Sequence, residues 1–155
     1  MPGKLAKQIK QTKPFQSLEE EAFLNLLRTV DALLQKETSL LESFGVSPAQ
    51  YNVLRILRGA GEAGLPCGEI GNRMITRDPD ITRLADRLEK RGFTTRSRES
   101  TDRRVVTVRI TREGLEMLGL LDKPVHEMHR ENLSHLGTVN LKLLIDLLEK
   151  AREQD

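Results

Sequence analysis

The residues best suited to chemistry are cations that cluster in the middle of the chain. Residues 73–112 hold twelve Lys and Arg against six Asp and Glu, a net charge of +6, although the whole chain of 155 residues carries only +2. Residues 17–72 and 113–155 each carry −4, and residues 1–16 carry +4 from lysines alone. A basic block between acidic segments is typical of a module that binds a polyanion such as nucleic acid, carried on a dimerising scaffold.

The basic block contains a line of cations at helical spacing. Arg83, Arg87 and Lys90 stand at i, i+4 and i+7, so on a helix they share one face. The opposite face is apolar and consists of Ile81, Leu84, Ala85 and Leu88. An α-helix fits the major groove of DNA, where an arginine near its start can donate to guanine O6 and N7. We therefore predict that this segment is a DNA recognition helix.

Position along this helix predicts the role of each side chain. The base contacts are predicted to come from Asp80, Thr82 and Arg83, and the phosphate contacts from Arg77 and Arg87. For Arg87 the alternative is an ordinary surface ion pair with Glu89 or Asp86. Asp80 is repelled by phosphate unless it accepts from cytosine N4. Its favoured alternatives are to orient Arg83 or to complement the positive N-terminus of the helix.

Cap and turn residues place the recognition helix within a helix-turn-helix. Ser17 and Glu20 form a capping-box pattern before a long amphipathic stretch, and Ser47 with Gln50 forms a second one. A turn is predicted at residues 75–77, between two short helices, as a helix-turn-helix requires. The predicted helices cover about 17–44, 48–59, 68–74 and 78–91, the last opened by Asp78 as N-cap and closed by Gly92.

After Gly92 the hydrophobic period changes from helical to alternating. Residues 93–98 and 104–110 are rich in β-branched side chains, and the second of these segments alternates at period two. The polar residues 99–103 between them are turn-prone. These features predict a β-hairpin beside the helix-turn-helix, a wing with a charged tip. Arg98 lies at the base of this wing, where it suits a phosphate contact.

Leucine-rich helices are predicted to complete the chain. Thr111 is the expected N-cap of a helix over about 112–133 with a kink at Pro124, and a last helix covers about 139–152. The apolar surface of this last helix is wider than its own domain needs, so a second copy is expected to cover it. The predicted fold class is mainly α with a small two-stranded β wing (α+β), a winged helix-turn-helix with N- and C-terminal dimerisation helices.

This order of elements resembles the MarR family of bacterial transcription regulators. The likeness is closest at residues 81–93 and continues over residues 102–114, where Asp102 and Arg104 match the family's Asp-x-Arg wing signature. The resemblance spans about residues 17–153. It implies that Asp102 braces the wing loop while Arg104 reaches the minor groove, where a narrow A·T tract attracts cations. Arg103 is the alternative for that reach.

The resemblance also implies how the chain is organised and how it acts. A flexible basic arm (1–16) precedes dimerisation helices (about 17–44 and 112–153), which flank a DNA-binding part (about 47–111). The implied function is a homodimeric cytoplasmic repressor on a pseudo-palindromic operator in double-stranded DNA, released by a small aromatic or phenolic effector that binds between the dimerisation helices and the winged domain. No cofactor is expected. Asp80 departs from the small or hydroxyl residue common at this point in relatives, so their operator sequence does not transfer.

The sequence leaves two alternative functions open, a zinc-sensing regulator and a protein–protein adaptor. His126 and His129, at i and i+3 on one helix face, can share zinc, which predicts a zinc-sensing regulator, although solvated histidines are commoner than ligands. A helical protein–protein adaptor that never touches DNA is the alternative from another class. Cys67, the single cysteine, is expected to be a half-buried small side chain without a redox role.

Several classes are excluded by composition and motifs. One cysteine excludes an internal disulfide and a Cys-rich metal site, and it favours a reducing cytoplasm. No apolar run approaches the roughly 20 residues of a membrane helix, so no membrane partner is expected. The sequence has no Gly-rich phosphate loop and no Ser or Cys nucleophile with a histidine nearby in the sequence. It therefore gives no indication of an enzyme, and no catalytic residue is predicted.

Overall fold

The computed structural model describes residues 3–98, 102 and 104–153. The chain is mainly helical with a small antiparallel sheet, which confirms the predicted fold class. The helices are α1 (Lys4–Gln8), α2 (Leu18–Ser43), α3 (Pro48–Ala60), α4 (Cys67–Arg73), α5 (Ile81–Lys90), α6 (Arg112–Leu133) and α7 (Gly137–Arg152). The strands are β1 (Leu65–Pro66), β2 (Thr94–Ser97) and β3 (Thr107–Ile110), and short 3₁₀ helices cover Gly61–Ala63 and Ser134–Leu136.

The chain divides into two compact units, residues 1–37 and 38–155. In the first unit, α1 occupies part of the stretch predicted as a flexible arm, because Leu5 gives this short helix a side chain to bury. The Ser17 hydroxyl accepts from the Glu20 amide at 3.1 Å, as the capping box predicts. The Glu20 carboxylate accepts from the Gln16 amide at 2.6 Å, one residue earlier than the expected partner.

The second unit is built around one apolar core. Its fully buried side chains come from the end of α2, from the helices α3 to α6 and from β3, and include Leu41, Leu54, Leu57, Ile70, Leu88, Val108, Leu118 and Leu121. Because α5 contributes to this core along one face only, its other face is left for solvent or a partner.

The start of α5 differs from the prediction by two residues. Asp80, not Asp78, is the N-cap, and its carboxylate accepts from the Arg83 amide at 2.9 Å. Asp78 instead accepts from the Asp80 amide at 2.9 Å, which closes a turn before the helix. Asp78 therefore caps the turn and Asp80 caps the helix. The residue types alone do not show which of the two aspartates begins the helix. At the other end, Gly92 adopts a φ of 78° and stops α5 as predicted.

The predicted hairpin of β2 and β3 is present, and a third short strand joins it. The antiparallel sheet has the order β1-β3-β2, with Leu65 opposite Val108 and Arg96 opposite Val108 on the other side. A strand of two residues carries no periodic signal in the sequence, so β1 was not predicted. It fastens the wing to the segment that leads into α4.

Helices α6 and α7 follow the predicted boundaries closely. The Thr111 hydroxyl accepts from the Gly114 amide at 3.2 Å and caps α6, which contains Pro124. Helix α7 leaves apolar side chains exposed, among them Val139, Leu143, Ile145 and Leu147. None of the helices in the described part of the chain has the length and apolar character needed to cross a bilayer.

Candidate nucleic-acid interface

Helix α5 separates an apolar inner face from a cationic outer face. Leu84, Ala85 and Leu88 are buried in the core, whereas Arg83 and Arg87 are exposed. Among residues 3–98, 102 and 104–153, neither arginine side chain makes a hydrogen bond or an ion pair. Two guanidinium groups one helical turn apart are therefore available to an external anion.

The third cation of the predicted line is engaged within the helix. Lys90 Nζ lies 3.1 Å from Asp86 Oδ2, an i,i+4 pair on the surface of α5. The alternative in which Arg87 pairs with Asp86 or Glu89 is not found in the described structure, because another residue holds both carboxylates. That residue is Arg96.

Arg96 on β2 ties the wing to the recognition helix. Its Nε donates to Glu89 Oε2 at 3.1 Å, and its Nη2 donates to Asp86 Oδ1 at 3.0 Å and to Glu89 Oε1 at 3.2 Å. The Arg96 side chain is 25% exposed, less than either carboxylate. Arg96 thus neutralises Asp86 and Glu89 from the wing, and Arg83 and Arg87 have no carboxylate partner among the described residues.

The same contacts shift the ionisation of the three groups. Hydrogen bonds from Arg96 lower the pKa of Glu89, and Lys90 followed by Arg96 lowers the pKa of Asp86. Glu89 in turn raises the pKa of Arg96. The sequence does not single out Arg96, because its partners Asp86 and Glu89 lie on another element. The available signal was its alternation with Thr94, which turns both side chains to one face of β2.

The turn before α5 presents another cation. Arg77 is exposed, and its side chain has no hydrogen bond or ion pair within the described residues. The turn is held from α3, since Asn52 Oδ1 accepts from the Ile75 amide at 2.9 Å. Thr82, in the first turn of α5, is also exposed. All the recognition-helix residues predicted to contact DNA thus lie on the solvent side of the helix-turn-helix.

In the described part of the wing loop, Asp102 holds the backbone of the residues that follow it. Asp102 Oδ1 accepts from the Arg104 amide at 3.0 Å, and the Asp102 carbonyl accepts from the Val105 amide at 3.1 Å. Arg98 and Arg104 are exposed, with no ion pair to any other described residue. Arg103, the alternative for the minor groove, lies outside the described residues.

A second arginine, which the sequence did not single out, holds the base of the wing. Arg109 Nε donates to the Glu62 carbonyl at 3.0 Å, and its Nη1 donates to Ser97 Oγ at 2.8 Å. These contacts join β3 to the 3₁₀ helix after α3 and to the end of β2. The wing is therefore attached to the helices by Arg96, which bonds to α5, and by Arg109, which bonds to the 3₁₀ helix after α3.

Comparison with known proteins agrees with this geometry. The MarR family model matches residues 46–106, which cover the helix-turn-helix and β2 and end just before β3. A MarR transcription factor from Planctomyces limnophilus is 42% identical, covers 87% of this chain and 98% of its own, and superposes with a TM-score of 0.69. The chain belongs to the MarR family. It is accordingly a DNA-binding transcription regulator and not an enzyme, and the adaptor alternative loses its support.

Other relatives illustrate what MarR-family proteins do. The transcriptional repressor MdtR of Bacillus subtilis (strain 168) is 39% identical over 90 residues, which span 56% of this chain and 57% of MdtR. The structure of NadR in complex with 4-hydroxyphenylacetate is 26% identical, covers 92% of this chain and all of that chain, and has a TM-score of 0.70.

Cysteine and histidine side chains can sense redox state or metals, and this MarR chain has one cysteine and three histidines. Cys67 is half-buried in a cleft of about 310 Å³ that is also lined by Thr82, Arg96 and Arg104. Burial raises the pKa of its thiol, against a weaker opposite effect of Arg96. The thiolate needed for redox chemistry is thereby disfavoured. The half-buried position of Cys67 is the one expected from the sequence.

The histidines lie on the surface of this MarR chain. His126 and His129 are exposed on α6. No group of three or more His, Cys, Asp and Glu side chains suited to a metal occurs among the residues that the structure describes. The zinc-sensing alternative stays a prediction without a further observation in its favour.

Proposed function

We propose that this MarR-family chain is a repressor that binds a pseudo-palindromic operator as a homodimer and is released by a small aromatic or phenolic acid. One observation carries the proposal. Arg77, Arg83 and Arg87 are exposed on the helix-turn-helix without a partner in the described residues, while Arg96 and Lys90 hold the carboxylates of α5. Apart from the capping carboxylate of Asp80, this leaves a cationic surface on a helix of the size that enters a major groove.

The contacts divide between bases and backbone. Thr82 and Arg83 in the first turn of α5 reach base edges, whereas Arg77, Arg87 and Arg98 bind phosphates. Arg104, or Arg103, enters the minor groove beside the half-site, with Asp102 bracing the loop. Asp80 accepts from the Arg83 amide, and this cap supports a structural role in place of a base contact.

Dimerisation is supported by the uncovered apolar side chains of α7. Val139 is 80% exposed, and Leu143, Ile145 and Leu147 are each more than half exposed. Burying such residues against a second copy stabilises a dimer by about 25 cal/mol for each Å² of apolar area removed from water. A two-fold dimer then presents two recognition helices about 34 Å apart, one turn of DNA.

The repressor and effector roles are supported by relatives. MdtR is named a repressor, and NadR was crystallised with 4-hydroxyphenylacetate. We therefore place the protein in the cytoplasm, bound to operator DNA until an acid of this class arrives. Release requires that the acid bind the DNA-incompetent state more tightly than the competent one.

The experiment that tests DNA recognition is selection of genomic fragments by the purified protein, followed by titration of the recovered site. Arg83→Ala and Arg87→Ala should each weaken binding, and Arg87→Ala should reduce the slope of log K against log salt by about 0.9, the value for one phosphate contact. Arg130→Ala, which removes an exposed arginine on α6, is the matched control and should change neither quantity. Unchanged binding by an Arg83→Ala, Arg87→Ala double variant would contradict the proposal.

Oligomeric state and release have separate tests. Leu143→Asp should convert the dimer to a monomer in light scattering and abolish operator binding, whereas Lys142→Asp on the exposed surface of α7 should keep the dimer. Addition of 4-hydroxyphenylacetate and related hydroxybenzoates to the protein–operator complex should release the DNA for at least one acid. A panel with no effect would remove the effector part of the proposal and leave DNA binding intact.

A further inference from the structure

The turn of the helix-turn-helix exposes one large apolar side chain. Ile75 lies between α4 and α5 and is 84% exposed, the highest value among the exposed large hydrophobic residues in the described part of the chain. Its neighbours in the turn, Thr76 and Arg77, are polar and exposed. A single exposed isoleucine is ordinary on a protein surface. Whether Ile75 has a binding role therefore depends on how rigidly its backbone is held and on which charges surround it.

The backbone of Ile75 is fixed. Its amide donates to Asn52 Oδ1 at 2.9 Å, a bond that crosses from the turn to α3. The preceding residue, Met74, packs against the core and donates its amide to the Gly71 carbonyl at 3.4 Å. Because isoleucine is β-branched, its first side-chain torsion is also restricted. The side chain is thus presented at a defined place.

The surroundings of Ile75 favour DNA over a second protein chain as its partner. It belongs to the segment of net charge +6, six residues before the start of α5. Arg77, two residues further on, has no partner within the part of the chain that the structure describes. The nearby Arg73 is neutralised by Glu69, whose oxygen lies 2.9 Å from its Nε. A fixed apolar group beside Arg77, in the turn that leads into α5, would lie at the edge of a groove that α5 enters.

The apolar feature that the major groove offers is the C5-methyl group of thymine. We propose that Ile75 contacts a thymine methyl in each half-site and thereby selects thymine at one position of the operator. This contact rests on the proposed operator binding. It adds a specificity determinant outside the recognition helix, at a residue with no hydrogen-bonding side chain.

The test replaces thymine with deoxyuridine at each position of the selected operator. For the wild-type protein, one position in each half-site should lose about fourfold in affinity, the effect of one methyl-sized group removed from an apolar contact. Ile75→Ala should bind the unmodified operator about fourfold more weakly and should be indifferent to deoxyuridine at that position. Ile75→Val should retain part of the discrimination, and Thr76→Ala, a change at the neighbouring exposed residue, should retain all of it.

The outcomes separate this contact from the function on which it rests. If Ile75→Ala weakens binding equally for thymine and deoxyuridine operators, the side chain contacts the sugar backbone, and the assignment is overturned. Unchanged affinity of Ile75→Ala overturns it as well. A wild-type protein that selects no DNA overturns the proposed function itself, whereas selection by the wild type without methyl discrimination overturns the thymine contact alone.

Discussion

Arg96 on the wing holds Glu89 on the recognition helix through two hydrogen bonds, Nε to Oε2 at 3.1 Å and Nη2 to Oε1 at 3.2 Å. The pairing is bidentate, and the same guanidinium reaches Asp86 at 3.0 Å. Planar pairing of this kind fixes orientation as well as distance. The wing and α5, which we propose contact the same operator, are therefore coupled by this contact.

Arg96→Gln should reduce specificity for the operator. The variant frees two carboxylates on α5 and loosens the wing, so we expect operator affinity to fall about tenfold, which corresponds to about 1.4 kcal/mol, and affinity for unrelated DNA to fall less. Arg98→Gln is the control, because it removes one charge just after β2 without touching α5. It should weaken both DNAs equally. Fluorescence anisotropy with both duplexes gives the ratio, and an equal loss for Arg96→Gln would exclude a positioning role.

The Arg96 contacts also predict a pH dependence. The pKa of Glu89 is lowered in the folded protein, so its contribution to stability is complete above about pH 4.3, the ordinary pKa of glutamate, and is lost as the pH falls through the lowered value. The difference in melting temperature between wild type and Arg96→Gln should accordingly be largest near neutral pH and shrink in acid. Thermal unfolding at pH 7, 5 and 3.5 measures it. A difference that stays constant to the lowest pH would contradict the assignment.

The sequence predicted the elements whose signals are local and repeated. The apolar stripe of α5, the cap at Thr111 and the stop at Gly92 each depend on a few residues near in the chain, and the structure has all three. Strand β1 was missed because Leu65–Pro66 is a strand only through pairing with β3. The assignment of Asp80 rather than Asp78 as the N-cap was missed as well, because it depends on the turn that leads into α5.

The candidate site was predicted less completely for a related reason. Exposed arginines on a helix face are visible in the spacing of Arg83 and Arg87. The role of Arg96 depends on which carboxylates lie across from β2, and this is set by how the strand packs against α5. Residue type and helical spacing are enough to identify an exposed cation, but the carboxylate that it pairs with is decided by the tertiary structure.

Asp80 should act as a helix cap. Asp80→Ala removes the acceptor of the Arg83 amide and should destabilise the protein by about 1 kcal/mol, the usual effect of losing an N-cap. Asp80→Asn keeps an acceptor and should remain close to wild type in urea unfolding. Since asparagine lacks the charge that repels phosphate, Asp80→Asn should also bind DNA more tightly at low salt. A changed sequence preference in the selected fragments would instead indicate a base contact.

Gly114 should be intolerant of a side chain. A Cβ built there lies 2.5 Å from the Phe93 carbonyl oxygen and 2.7 Å from Ile110 Cγ1. That carbonyl is fixed, because it accepts from the Thr111 amide at 3.0 Å. Gly114→Ala is therefore expected to cost about 1–3 kcal/mol, as overpacking of a tight site does. Gly119→Ala in the same helix meets no atom within 4 Å and should be neutral or stabilising. Urea midpoints compare the two, and equal midpoints would contradict the clash.

Thr94 carries a buried hydroxyl that the fold leaves unsatisfied. The residue is 1% exposed on β2, and Oγ1 has no hydrogen-bond partner in the described structure. A buried donor without a partner is destabilising, whereas a methyl group of similar shape is not. Thr94→Val should therefore stabilise the protein by about 1 kcal/mol and raise its melting temperature by about 3 °C, given the size of the chain. Thr95→Val, at the adjacent exposed position, should change stability by less than about 0.5 kcal/mol. If Thr94→Val is destabilised by more than this control, the hydroxyl has a partner in solution, and a buried water is the group to seek there.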